Sequence, residues 1–319
     1  MTEIQNIPYF DGHCDTIWRC MKREAVPDYG ATEDECRAYF SACAALRENR
    51  GHVDLLRGQH YRKRAQFFAL YDDVRALPPN TAWTKLREMH DWFLSQIQEN
   101  SDLVSRCKTG AEVDAAAAQH RTAALLSVEG ADLLDCALDH LETVASWGVR
   151  LINPVWNNAN VLSGSCADEP DRGLSVYGRE FVAKMYEYGI FADVSHISDA
   201  GFWDVIQAAK GPVVASHSNA RTPGLCPHRR NLTDDMFRAV RDFVGGGHMD
   251  DLIAHIEHFL SLSGESTVAI GGDLDGCEAL AAGMTGVQDV AKLYQALEER
   301  GYPQSLLEDI FWNNWRRIL

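Results

Sequence analysis

The sequence predicts an α/β fold, a (β/α)₈ barrel of the TIM type with its seventh strand shortened or missing, and three observations carry that prediction. Short apolar runs alternate with amphipathic helical stretches along all 319 residues, with no repeat or low-complexity linker between them. Two successive runs, at 190–195 and 213–216, are too short and too β-branched to be helices, and each stops at a Ser-His pair, Ser195-His196 and Ser216-His217. Between them Phe202, Val205 and Ile206 recur at helical spacing, so the unit reads strand, helix, strand. Each histidine then stands at the carboxyl end of its strand, where barrels of this type build their active sites.

The remaining elements are taken in chain order. A first strand at 7–11 ends beside His13 and Asp15. A polar stretch with Pro27 and Gly30 leads to a helix expected at about 33–47. Phe67, Phe68, Ala69 and Leu70 are the apolar core of a second strand at 65–71, and Pro78-Pro79-Asn80 ends the segment after it. Leu86, Met89, Phe93 and Ile97 form one stripe of an amphipathic helix. The third strand, 123–128, carries Glu129 and Gly130 at its end. A helix at 134–147 is stopped by Gly148, and a fourth strand at 149–155 leads to Trp156 and Asn157. A helix at 177–188, closed by Gly189, precedes the two histidine strands. Thr233 or Asn231 caps the next helix, at 234–242. The helix at 249–262 is expected to turn His255 and His258 to solvent. A last strand at 267–272 ends in Asp273 and Asp275, and helices at 287–300 and 304–319 close the chain. That makes seven strands where a closed barrel has eight. The missing one falls near 243–247, where only Phe243, Val244 and three glycines stand. No internal boundary divides residues 1–319, which read as one domain with C-terminal helices.

Composition narrows the function classes. Hydrophobic residues make up 46% and charged residues 24%, the balance of a soluble globular protein. Acidic residues outnumber basic ones by 46 to 30, for a formal charge of −16, which argues against nucleic acid as a partner. The opening MTEIQNIPYF has neither a basic start nor an apolar core, and no run is long enough to span a bilayer, so a cytoplasmic protein without membrane contact is expected. Nine scattered cysteines, an odd number with no C-x-x-C pair, suggest reduced thiols. Cys14 lies between two candidate ligands, but strand alternation points it away from them.

Five residues of metal-ligand type stand at strand ends: His13, Asp15, Glu129, His196 and His217. A lone histidine there often merely bonds a neighbouring carbonyl, but five convergent ligands exceed what one tetrahedral zinc with an open position needs. They suit two ions about 3.5–4 Å apart, bridged by Glu129 with two ligands on either side and holding a hydroxide. Mixed histidine and carboxylate ligands favour two zinc ions over calcium or magnesium, with manganese or iron as the alternatives. Asp273 in the DLDG string reads as an ordinary turn by itself. Beside these ligands it reads as a general base, which with Glu129 makes the catalytic pair. Arg230 is either solvated surface charge or a fork that captures a substrate carboxylate.

These residues lie in strings that resemble the renal (membrane) dipeptidase family of zinc peptidases, within the amidohydrolase-like barrel superfamily. The strings are DGHCDT at 11–16, AQFFALY at 65–71, SVEGADLLD at 127–135, GVRLINPVWNNAN at 148–160, DVSHISDAGFWDV at 193–205, ASHSNAR at 215–221, RRNLTDD at 229–235 and GGDLDG at 271–276. They occur in the family's order and cover nearly the whole chain. The resemblance implies that His13, Asp15 and Glu129 hold one zinc and that Glu129, His196 and His217 hold the other. It implies further that Asp273 handles the proton of the bridging water and that Arg230 binds the terminal carboxylate of a dipeptide. Trp18 and Tyr71 would wall the pocket, with Trp156 and Asn157 also at the substrate.

Two departures stand out. Trp156 occupies the position where the family pattern has a histidine expected to stabilise the developing oxyanion. Losing one such donor typically costs about a hundredfold to a thousandfold in rate. The second departure is the absent seventh strand, which would leave the site open to water on that side. The function these residues imply is hydrolysis of dipeptides by a metal-bridging hydroxide. The alternatives are hydrolysis of another small amide or lactam, and a metal-binding homologue with impaired catalysis. Retention of all five ligands with Asp273 argues against the last. A homodimer is consistent with the resemblance.

Overall fold

All the strand pairings that build the sheet are parallel, and the residues show why. Strands of a parallel sheet are covered on both faces, so they read as continuous apolar runs. The structure, a computed structural model, describes residues 1–22, 45–223, 225–240, 249–277 and 280–319. Its strands are β1 (Pro8–Asp11), β2 (Lys63–Leu70), β3 (Val104–Arg106), β4 (Thr122–Glu129), β5 (Val149–Asn153) and β6 (Phe191–Ala192). β4, TAALLSVE, is buried along its whole length, and β2 is buried from Arg64 onward. The order is β1-β2-β4-β5-β6, with β3 pairing the start of β4.

Isolated parallel bridges continue the sheet at both edges. Asp193 pairs with Val214 beyond β6, while Asp11 pairs with Ile270 and Cys14 with Leu274 beside β1. The result is a curled parallel sheet with helices around it. The expected strands at 213–216 and 267–272 are thus isolated bridges, and side chains bond several backbone groups beside them. Asp193 Oδ1 accepts from the Ser216 N–H, and Asn314 and Trp315 donate to the carbonyls of Val268 and Ile270 at 2.6 and 2.7 Å.

Residues from seven segments meet on one face of the curl: Phe10, Phe67, Leu125, Leu151, Val214 and Ala269 are among them, and Trp312 and Trp315 join the same cluster. Gly12 makes that contact feasible, since a Cβ there would lie 2.0 Å from the Trp315 ring. The other face packs on helices, for example Phe68 against Phe93 of the helix Ala82–Glu99.

Other elements need adjustment. The sequence does not predict β3, because only its Val104 is buried. The helix expected at 134–147 is shorter, Leu138–Ser146; a separate 3₁₀ turn, Ala131–Leu134, precedes it and is broken off by Asp135 and Cys136 in left-handed conformations. His255 is buried, contrary to its expected exposure, because it shares the face of Leu252, Ile256 and Phe259 on the helix Met249–Ser261. His258 is partly exposed and bonds Asp234 at 2.8 Å. The gap at 243–247 and nearly all of the helix expected at 33–47 lie outside the described residues. Among the described residues no helix is long and apolar enough to cross a membrane.

Candidate metal centre

The strand ends aim five side chains at one point. His13 follows β1 in a turn tied down by its own N–H, which donates to Asp11 Oδ1, and by the Asp15 N–H, which donates to the Leu274 carbonyl. Glu129 is the last residue of β4. His196 follows β6 in a left-handed conformation, φ +73°, and His217 follows the Val214 bridge. His13 Nε2 lies 3.3 Å from Asp15 Oδ2 and 3.5 Å from Glu129 Oε2. The other oxygen of Glu129, Oε1, lies 2.8 Å from His196 Nε2 and 3.2 Å from His217 Nε2. All five side chains are buried.

Hydrogen bonds behind the centre settle which ring nitrogens face it. Ser216 Oγ donates to Asp193 Oδ2, so it can only accept from His217 Nδ1–H, at 2.7 Å. Asn157 Oδ1 accepts from His196 Nδ1–H at 2.9 Å. With both Nδ1 atoms protonated, the two Nε2 lone pairs point at each other across 3.0 Å and at the Glu129 carboxylate. Three acceptors in contact repel unless a cation lies among them. On the other side, both ring nitrogens of His13 and Oδ1 of Asp15 are buried with no hydrogen-bond partner. Ligand atoms about 2.0–2.1 Å from a tetrahedral ion sit about 3.3 Å apart, which matches these separations. The residues therefore fit metal ions, and three overlapping groups are close enough to hold one: His13, Asp15 and Glu129; Glu129, His196 and His217; and His13, His217 and Asp273.

Electrostatics describe the same crowding. Burial raises Glu129, but the charge of His13 and the closeness of all three histidines outweigh it and hold the carboxyl well below its usual value. Burial lowers His13, but Glu129 and Asp15 outweigh it and lift it well above. Asp15 rises to about 6 through burial and then the charge of Glu129. His196 falls to about 4 through burial and then the positive charge of Arg230. His217 is also driven down by burial, then by His13 and Arg230.

The other expected residues lie around this cluster. Asp273 Oδ1 is 3.9 Å from His13 Nε2. Burial, then the charge of Asp15, push its carboxyl up to about 8, although a third of the side chain meets solvent. Arg230 donates from Nη1 to Ser218 Oγ at 2.6 Å, and Ser218 in turn bonds Ser195. Trp18, Tyr71 and Trp156 form an aromatic row, with ring centroids 5.8 Å apart for Trp18 and Tyr71 and 5.0 Å for Tyr71 and Trp156. Trp156 ends the row 6.2 Å from the His196 ring. Cys14 is buried in the apolar core and belongs to none of the metal-suited groups. Sequence reasoning missed Asp193 and Ser216, which orient His217, although a serine before each of the two histidines was in plain view.

A buried His and carboxylate centre at the strand ends of a curled parallel sheet defines a metal-dependent hydrolase of the α/β class. Residues 3–319 match the model of the membrane dipeptidase family, peptidase family M19. A protein encoded in the pqqA 5′ region of Klebsiella pneumoniae is 32% identical over 248 residues, covering 70% of this chain and 90% of its own length. A metallopeptidase from Rhodobacter sphaeroides, solved with a phosphinate mimic of the dipeptide L-Ala-D-Ala, superposes with a TM-score of 0.82 at 25% identity over 98% of each chain. A further solved M19 metallopeptidase, dipeptidase AC, gives 0.80 at 27% identity over 98% of each chain. The chain belongs to the membrane dipeptidase family, and by that membership it is a metal-dependent hydrolase of dipeptides.

Proposed function

We propose that the protein hydrolyses dipeptides with two zinc ions, held by His13, Asp15 and Glu129 and by Glu129, His196 and His217. The division of the Glu129 carboxylate, one oxygen toward each donor group, is the observation that carries this reading. Bound there, the ions would polarise the scissile carbonyl and make a water nucleophilic at neutral pH. Arg230 takes the terminal carboxylate of the substrate in its planar fork, exchanging the Ser218 hydroxyl for a charged partner. Asp273 accepts the proton released by the attacking water and passes it to the departing nitrogen, so the C–N bond breaks to leave a neutral amine. Its raised affinity for protons suits both halves of that transfer. Trp18, Tyr71 and Trp156 wall the site.

The phosphinate mimic of L-Ala-D-Ala bound by the Rhodobacter protein supports small dipeptides, including those with a D-residue second, as substrates here. The parallel bridges at Val214 and Ile270 support a (β/α)₈-type barrel, its seventh strand shortened or missing, as the frame. Seven described cysteines are free thiols, as a cytoplasmic location would keep them. A second reading, hydrolysis of another small amide or lactam, is favoured by Trp156 alone, whose neutral indole replaces an expected cationic donor.

The test is hydrolysis of a dipeptide panel, with L- and D-residues second, by zinc-loaded protein with and without chelator. Chelator-sensitive cleavage at two metals per chain is expected. Fully loaded protein that cleaves no dipeptide would overturn the reading.

A further inference from the structure

Two residues beyond Asp273, a second aspartate is buried and pairs across the fold. Asp275 is fully buried, and donors converge on its carboxylate from distant segments. Thr16, at the start of the helix Thr16–Met21, donates its hydroxyl to Oδ2 at 2.7 Å, and the His52 N–H donates to Oδ1 at 2.6 Å. The Asp275 N–H returns a bond to His52 Nδ1 at 2.9 Å, and Arg19 reaches the Asp275 carbonyl from Nε and Nη2 at 3.2 and 3.0 Å. Gly51 leaves the room for this clasp, since a Cβ there would lie 2.8 Å from Asp275 Oδ1.

The clasp adds to a turn also tied by backbone bonds, from the Asp15 N–H to the Leu274 carbonyl and from the Gly276 N–H to the Asp273 carbonyl. Asp273 and Asp275 both adopt left-handed conformations, φ +48° and +68°, which non-glycine residues hold only where their surroundings over-determine them. The turn they form leads into Gly276, whose missing side chain admits the carboxylates of Asp15 and Asp273: a Cβ there would lie 2.1 Å from Asp15 Oδ2 and 2.4 Å from Asp273 Oδ1. A loop thus bent aims Asp273 at His13 and Asp15. Released, it has no other described anchor of this kind on the Asp275 side chain.

We infer that Asp275 is a positioning residue: clasped by Thr16, Arg19 and His52, it fixes the turn that holds Asp273 where it can exchange a proton with the substrate. The inference rests on the proton-transfer role proposed for Asp273. A carboxylate is needed at 275 because it accepts on both oxygens; an asparagine would turn an N–H₂ toward one of the two donors.

The experiment compares metal-loaded Asp275→Asn, Thr16→Val, Asp273→Asn and the double variant D273N/D275N on one dipeptide. Displacing a reacting group by about 1 Å can cost about a hundredfold, so D275N is expected to lose about ten- to a hundredfold in kcat. KM is expected to stay within about twofold and metal content to hold, because only transition-state contacts are disturbed. T16V removes one donor without exchanging polarity and is expected to fall in the same direction by less, and it carries the test if D275N does not fold. D273N and the double variant are expected to share one residual rate, because Asp275 acts through Asp273. A structural role alone would multiply the two losses, and that result would overturn the inference. So would wild-type kcat in D275N and T16V beside an inactive D273N. Full turnover in D273N itself would instead overturn the proton-transfer reading beneath it.

Discussion

Trp156→His puts back the cationic donor expected before Asn157, and the contacts of the indole set the size of the effect. Its ring packs 5.0 Å from Tyr71 and 6.2 Å from His196, with the Arg75 guanidinium 5.3 Å above it. An imidazolium from the same backbone position keeps a place beside His196 while adding a charge that the indole lacks. One oxyanion donor is worth about a hundredfold or more, or roughly 2.7 kcal/mol of barrier at 1.36 kcal/mol per decade. The stability cost is smaller. Losing the Tyr71 contact costs about 0.5–1.5 kcal/mol. The Arg75 contact adds about 0.5 kcal/mol, the low end because that side chain is largely exposed. Together these lower Tm by a few degrees. The assay is kcat and KM on L-Ala-D-Ala and L-Ala-L-Ala, with zinc content measured on the same sample. kcat is expected to rise ten- to a hundredfold, and more at pH 6 than at pH 8, because an ordinary histidine is protonated below about 6.5. A folded, fully loaded W156H with unchanged or lower kcat would refute the placement of Trp156 at the oxyanion.

Ser216→Ala removes the acceptor of His217 Nδ1–H and is expected to weaken zinc binding about 10- to 100-fold; chelator competition that finds wild-type affinity would contradict the assigned tautomer. Asn157→Ala is expected to do the same through His196, and a loss confined to KM would place Asn157 at the substrate instead. Arg230→Ala is expected to reduce kcat/KM about 10- to 100-fold through a lost charge-assisted pair, and the variant should no longer distinguish a dipeptide from its C-terminal amide. In metal-free protein His13 is raised by Glu129 and Asp15 against burial, and Asp273 is pushed up to about 8 by burial and Asp15. Between about pH 6.5 and 8 the folded chain then binds more protons than the unfolded one, so stability falls as pH rises. His196 and His217, held low, act in the opposite sense only below about 6.5. Thermal melts with chelator should drop from pH 6.5 to 8, and zinc should reverse the trend because binding needs those protons gone; a metal-free melt that rises over this range contradicts the charge arrangement.

Period and punctuation decide how much of the fold the sequence made legible. β2 has its apolar run Phe67 to Leu70 and β4 its run Ala123 to Val128, each too short for a helix and bounded by polar residues. β3 was illegible because Val104 is its single buried residue, and three residues carry no period. The segments at Val214 and Ile270 read as strands from their apolar content, yet each pairs through an isolated bridge, with the Ser216 N–H going to Asp193 and the Ile270 carbonyl shared between Gly12 and Trp315. His255 was misread by residue type, although its spacing from Leu252, Ile256 and Phe259 marked the buried face. The ligand-type residues were legible because each ends an apolar run. Their supports were not: Asp193, Ser216 and Asp275 are ordinary polar residues in strings where turns are common, and only the hydrogen bonds separate them from loop residues.

Parallel strands explain why strand ends spoke more clearly than any local motif. Right-handed crossovers return every strand in the same direction, so all carboxyl ends emerge on one side. Residues as far apart as His13 and His217 then stack their rings 3.7 Å apart, and Asp11 Oδ1 joins the first strand to the last by accepting from both the His13 and Gly272 N–H groups. Since Asp273 follows Gly272 directly, the junction that brings the last segment against β1 also brings the Asp273 carboxylate against His13 and Asp15. Pairing β1 with the last segment and assembling the cluster thus depend on the same contacts. Ions held by His13 and Glu129 would therefore stabilise the folded state itself, because no unfolded chain holds these donors together.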